Sequence, residues 1–220
     1  MKPIEMGTKD RYETRCKLAV KFITEHPEVL PLLKDKYTTD DILEEAIQLE
    51  PDVFKYIRNP SPRIISAAFE IDGGNVKFVP SQTLMTLPED VLMTAIDSNF
   101  DEAMPCIDVS ELSEEAQIDI FHKDPVRALE YGVQVPSYYI LAEIRKTPSI
   151  VRYIPNATNE MKCEALSLEP NVVLYFNTLT PEMMDIIDEK YPYLIGKIPN
   201  YTRNSNINVE ENNDGTSYEK

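Results

Sequence analysis

The side chains that carry most enzyme chemistry are scarce in this chain of 220 residues, and they stand far apart. Two histidines occur. His26 directly precedes Pro27, and His122 lies in Ile-Phe-His-Lys-Asp-Pro125. A histidine can serve as a ligand or a general base, but both also suit the simpler role of a polar residue near a helix end. Cys16, Cys106 and Cys163 form no Cys-x-x-Cys pair and no zinc spacing. They read as reduced, structural thiols. Asp72-Gly73-Gly74-Asn75 is the nearest approach to a calcium loop, but it is too short and reads as a turn. With six glycines there is no phosphate-cradling loop and no nucleophile elbow. Paired carboxylates carry no information in so acidic a chain. The expectation is a protein that is not an enzyme, with no catalytic residue, no metal and no cofactor.

Negative charge is what the chain has in quantity. Lys and Arg number 22 against 38 Asp and Glu, a formal net charge of −16. The distribution is uneven. Between Lys77 and Lys123 no Lys or Arg occurs, and that stretch holds ten acids: Glu89, Asp90, Asp97, Asp101, Glu102, Asp108, Glu111, Glu114, Glu115 and Asp119. Helix-start preference accounts for Glu89, Asp90, Glu114 and Glu115. It does not account for the missing bases, because flanking segments mix signs freely. The bland reading is a solvated acidic face; the functional one is a patch that docks on a basic partner surface. Such charge disfavours direct binding to nucleic acid, which needs Lys and Arg against phosphate, and to anionic membranes. No apolar run approaches a membrane span and no apolar leader segment opens the chain. The expected location is the cytoplasm.

The elements that must position these groups are set by prolines in a recurring apolar frame. Ile42-Leu-Glu-Glu-Ala-Ile-Gln-Leu-Glu-Pro51-Asp-Val-Phe-Lys-Tyr-Ile57 matches Met161-Lys-Cys-Glu-Ala-Leu-Ser-Leu-Glu-Pro170-Asn-Val-Val-Leu-Tyr-Phe176 and the segment around Pro148. Pro27, Pro125 and Pro192 stand in the same frame; Gly74 and Phe100 fill two gaps. The eight anchors are spaced by 24, 23, 26, 25, 23, 22 and 22 residues. Apolar residues about nine, eight, five and four positions upstream, such as Ile42, Leu43, Ala46 and Ile47, form one face of a helix. Proline cannot extend that helix but suits the first turn of another. The second helix carries Val53, Phe54 and Ile57, or Ile150, Val151 and Ile154, or Val172, Val173 and Phe176. Asn75–Pro80 has some β character and is read as the third unit's second helix. Between units, Thr38-Thr-Asp-Asp41, Ser61-Pro62, Leu87-Pro-Glu-Asp90, Ser113-Glu-Glu115, Thr158-Asn-Glu160 and Thr180-Pro-Glu182 read as helix starts. Tyr56, Tyr153 and Tyr175, five residues after an anchor, are expected to pack in the core or half-buried between neighbouring units; a ladder of partner contacts is the alternative.

A unit of two short helices is marginal alone and gains a buried face only by stacking. The predicted fold is therefore all-α, a solenoid or superhelical stack of about eight helix–Pro–helix repeats. The predicted organisation is a lead over 1–11, a repeat domain over 12–201 and a polar, disordered tail over 202–220. Polar terminal repeats predict a monomer.

The Glu-Pro-x-Val-x-x-Tyr-Ile core, in units of about two dozen residues, resembles the short tandem helical repeats of unknown function found in some viral, phage and protist proteins. The resemblance runs from about Tyr12 to Tyr201. It implies helical repeats and a viral or mobile-element origin, and it implies no catalytic residues. Gly74 and Phe100 depart from the pattern. Two functions follow from the whole: a protein-binding scaffold whose acidic patch meets a basic partner, or a nucleic-acid mimic that occupies the basic groove of a nuclease or another DNA- or RNA-binding defence enzyme. Mimicry calls for acids spaced along many units; the ten acids form a local cluster, which favours docking.

Overall fold

The computed structural model describes residues 8–198. Every regular element among them is helical. The α-helices are α1 (Thr8–Glu25), α2 (Asp40–Leu49), α3 (Pro62–Ile71), α4 (Ser81–Leu84), α5 (Glu89–Ser98), α6 (Phe100–Ala103), α7 (Glu114–Lys123), α8 (Pro125–Glu130), α9 (Ser137–Lys146), α10 (Asn159–Leu168) and α11 (Pro181–Lys190). The chain forms two compact units, Met1–Val135 and Pro136–Lys220. The division falls between the fifth and sixth repeats. The first helix begins at Thr8, inside the segment expected as a lead, and the expected tail at 202–220 lies outside the described residues.

Each repeat opens with an α-helix, and the predicted face is fully buried in α2, α3 and α7; in α1 Leu18 and Phe22 are exposed, and α9 buries Ile144 alone. In α2, Ile42, Leu43, Ala46 and Ile47 are all buried; in α3 the equivalent set is Ile64, Ile65, Ala68 and Phe69. A fully buried aliphatic side chain contributes roughly 1.5–3 kcal/mol, so one such face outweighs the weak intrinsic stability of a ten-residue helix. Four of the six start signals cap as read, whereas Thr39 before α2 and Pro88 before α5 make no side-chain cap bond. Ser61, Ser113, Thr158 and Thr180 each accept a backbone N–H from three residues on, at 3.2–3.5 Å.

The turn between the two halves of a repeat is one non-helical residue, extended at Glu50, Asp72, Asp124 and Glu169 and with a lower ψ of 47° to 85° at His26, Asn99, Thr147 and Tyr191. His26, Glu50, Asp72, Asn99, Asp124, Thr147, Glu169 and Tyr191 all have φ between −154° and −135°. In each, the N–H closes the helix behind, as from Glu50 to Ala46 O (2.9 Å). The carbonyl opens the element ahead, as from Val53 N–H to Glu50 O (3.0 Å). A following proline pushes its predecessor out of the α region; Asp72 and Asn99, which precede Gly73 and Phe100, take the same φ without one.

The second half differs from the expectation in kind. It is a 3₁₀-helix at Pro27–Leu32, Pro51–Tyr56, Gly73–Phe78, Pro148–Tyr153, Pro170–Tyr175 and Pro192–Leu194. Bonds that close after three residues satisfy more of a six-residue segment than bonds that close after four. The fourth repeat runs from α6 into a 3₁₀ turn at Met104–Cys106, and the fifth keeps α8. There Gly132 (φ +83°) ends the helix, with Val133 N–H bonded to Ala128 O at 2.9 Å. The β character of Asn75–Pro80 does not yield a strand; Val76 is a buried 3₁₀ residue.

The third anchor is Gly73 rather than Gly74, since the element begins there. A Cβ on Gly73 would overlap the Ala95 carbonyl oxygen and lie 2.9 Å from Asn99 N. Glycine stands at this position because the end of α5 packs directly against it.

Within the first unit the opening helices pack in succession, α1 on α2, α2 on α3 and α3 on α5, and so do the second halves of the first four repeats, Pro27–Leu32 on Pro51–Tyr56, Pro51–Tyr56 on Gly73–Phe78 and Gly73–Phe78 on α6. The second unit repeats this with α9, α10 and α11.

Candidate functional site

All ten acids of the base-free stretch are exposed, on α5, α6, α7 and the turns between them. They do not form one uniform patch. Three are neutralised by bases one repeat away. Lys77 Nζ meets Glu102 Oε2 at 2.7 Å, Lys123 Nζ meets Asp97 Oδ1 at 2.5 Å, and Arg127 pairs with Asp101. The bases missing between Lys77 and Lys123 are thus returned from its borders. Exposed pairs of this kind are worth at most about 1 kcal/mol each, and their main effect is on charge. Two more acids are tied to local structure. Glu89 accepts from Ser113 N–H at 2.6 Å and Ser113 Oγ–H at 2.8 Å. Asp108 accepts from Ser110 Oγ–H at 2.6 Å and Ser110 N–H at 3.1 Å, and these bonds hold its carboxyl below the usual carboxylate range. Asp90 lies in the first turn of α5. Glu111, Glu114, Glu115 and Asp119 make no ion pair or side-chain hydrogen bond among the described residues.

A cleft of about 420 Å³ opens beside these acids. It lies between the segment carrying Leu84, Met85 and Leu87, the first turns of α5, and the turn at Cys106–Leu112. Leu84, Leu87, Ile107 and Leu112 form a buried floor; Met85 is 76% exposed at the edge. Glu89, Asp108 and Glu111 line it as well. No base lines it. Its origin is the length of the connections: residues 79–88 and 104–113 join their helices where residues 57–61, 154–158 and 176–180 suffice elsewhere. Extra residues in a repeat go to one face, often the binding face. The two longest anchor spacings in the sequence are the signal that could have found the cleft. The apolar lining, Met85 above all, was missed.

The remaining candidates resolve locally. His26 sits 3.6 Å from Glu28 at the surface and rests on Phe22; His122 lies beside Phe121. Cys16, Cys106 and Cys163 are free thiols. Burial, and then Glu182, push the Cys163 thiol up, whereas Cys106 is exposed in the cleft rather than packed. Asp72 to Asn75 form a helix junction. Asp72 Oδ1 accepts from Gly74 N–H (2.8 Å) and Asn99 Nδ2 (2.9 Å), and the buried Asn75 amide donates to Ala68 O (3.0 Å). Tyr56 and Tyr153 are half-buried as expected; Tyr175 is more open. Each of the three has a base over its ring. Lys55 covers Tyr56 at 5.4 Å, and Arg152 lies 4.4 Å from Tyr153 and 5.6 Å from Tyr175. Among the described residues no cluster of three metal-ligating side chains occurs and no helix is long and apolar enough to cross a membrane.

Compared with family models, with curated proteins and with solved structures, the chain matches none of them.

Proposed function

We propose that this protein is a non-enzymatic helical-repeat scaffold that binds a partner protein through the acidic face of its third to fifth repeats. The observation that carries this reading is the set Glu111, Glu114, Glu115 and Asp119, exposed and, among the described residues, without ion-pair partners, with Glu111 in the lining of a cleft that no described Lys or Arg lines. A surface of this sign selects a basic partner and speeds its approach. The opening helices pack in succession from α1 to α5 and from α9 to α11, the way an α-solenoid builds its extended surface, and solenoid stacking of the whole is part of the proposal. So are a cytoplasmic setting and a viral or mobile-element source.

Neutralisation of Asp97, Asp101 and Glu102 by neighbouring bases favours docking over nucleic-acid mimicry. A mimic needs unpaired acids in a long, regular array, and here the array is broken by cations.

The test is retention of partners from a lysate of the cell that makes the protein, at low and at high salt. A variant with Glu111, Glu114, Glu115 and Asp119 changed to Lys runs beside the parent. Partners lost with both salt and reversal support the acidic face. A partner that survives the reversal removes it, and a retained set made up of DNA- or RNA-binding enzymes turns the reading to mimicry.

A further inference from the structure

We infer that the cleft between residues 84–92 and 106–112 receives an apolar side chain from a basic, amphipathic segment of the partner protein. This rests on the docking reading above and names what is docked. At about 420 Å³ the cleft falls within the roughly 300–1,000 Å³ of ligand sites. Its floor is aliphatic, formed by Leu84, Leu87, Ile107 and Leu112, so only an apolar group is stabilised by filling it. Its rim is carboxylate: Glu89, Asp108 and Glu111.

The rim's first two carboxylates are held in place by Ser113 and Ser110. They therefore lose little freedom when a cation arrives. The cations nearest in sequence, Lys77, Lys123 and Arg127, are engaged by Glu102, Asp97 and Asp101. An incoming Lys or Arg meets no competitor among the lining residues. Anionic ligands, including nucleic acid and acidic lipid headgroups, are repelled by the same rim. The acids continue past the cleft to Glu114 and Glu115 at the start of α7, so the ligand that matches them is longer than the cleft. That combination describes a peptide segment with an apolar anchor flanked by bases.

The test uses the full chain and three labelled 14-residue peptides. One is an amphipathic Lys/Leu helix; one has its Leu residues replaced by Ser at equal charge; one is a Glu/Leu counterpart of equal apolarity. Binding is read by anisotropy, and its place by the alkylation rate of Cys106, which is exposed in the cleft. Cys16 and Cys163 serve as internal controls. The expected result has three parts. The Lys/Leu peptide slows Cys106 alkylation at least fivefold and leaves the other two thiols unchanged. The Lys/Ser peptide binds at least tenfold more weakly. Met85→Arg abolishes the protection while its thermal melt matches the parent, since Met85 is a surface side chain. If both basic peptides bind alike, lose affinity on reversal of Glu111, Glu114 and Glu115, and leave Cys106 reactive, the cleft inference is overturned and the acidic face stands. If neither basic peptide binds better than the Glu/Leu one, both fall.

Discussion

At Gly73 one absent carbon decides how two repeats fit. Six other junctions of this kind lead into proline, yet proline or alanine here would meet the backbone of Ala95 in α5 and of Asn99 just after it. Proline would also remove the N–H that donates to Ser98 Oγ at 3.1 Å. Backbone cannot swing aside, so the cost belongs at or above the usual 1–3 kcal/mol of overpacking. Gly73→Ala is expected to lose about 3 kcal/mol in urea denaturation; Gly73→Pro, though it restores the repeat's own pattern, is expected to lose at least as much. Gly74→Ala meets only the movable Glu102 carboxylate and Asp72 Oδ1, and its loss should be well under half of that. The neighbouring Asp72 gives a pH signature. Its bonds from Asn99 and then Gly74 hold its carboxyl below the ordinary range. A depressed folded pKa contributes stability above the unfolded value of roughly 3.9 and loses it as pH falls through the folded value. Asp72→Ala should therefore cost about 1 kcal/mol at pH 7. The gap to the parent should narrow below about pH 4, read from melts across the acid range.

Elements were legible where the physics is local. Proline positions, the apolar face of Ile42, Leu43, Ala46 and Ile47, and the Ser61, Ser113, Thr158 and Thr180 caps are each set within a few residues, and each appears as read. What escaped depends on neighbours. The second halves are 3₁₀ in six repeats and α-helical in the equally long Pro125–Glu130, a difference that apolar spacing does not report. The register at Gly73 is set by α5, some two dozen residues on. The cleft comes from two long connections meeting in space, and spacing alone shows only that they are long. Gln117 is a similar case, a buried amide on α7 that sequence reasoning did not single out. Its Nε2 donates to Leu112 O at 3.1 Å and its Oε1 accepts from Gln134 N–H at 2.8 Å, so it ties two connections to one helix. Gln117→Leu strands a backbone carbonyl and an N–H. A loss of about 1–3 kcal/mol and faster amide exchange at Gln134 are expected; unchanged exchange there would remove Gln117 from that role.

Charge acts on the molecule as a whole. At −16 the folded chain concentrates repulsion that the unfolded chain spreads out. The inter-repeat pairs at Asp97, Asp101 and Glu102 are exposed and offset little of it. Raising sodium chloride from low ionic strength to about 0.15 M, where the screening length is about 8 Å, should raise the thermal midpoint. Reversal of Glu111, Glu114, Glu115 and Asp119 to Lys removes half of the net charge. That variant should be more stable than the parent at low salt and less responsive to salt. The opposite slope, a midpoint that falls as salt rises, would mean that the ion pairs outweigh the repulsion and that the four acids do not burden the fold. A stabilised variant that has lost its partner would instead mean that these acids stand at a cost in stability, the trade expected of residues kept for binding rather than for folding.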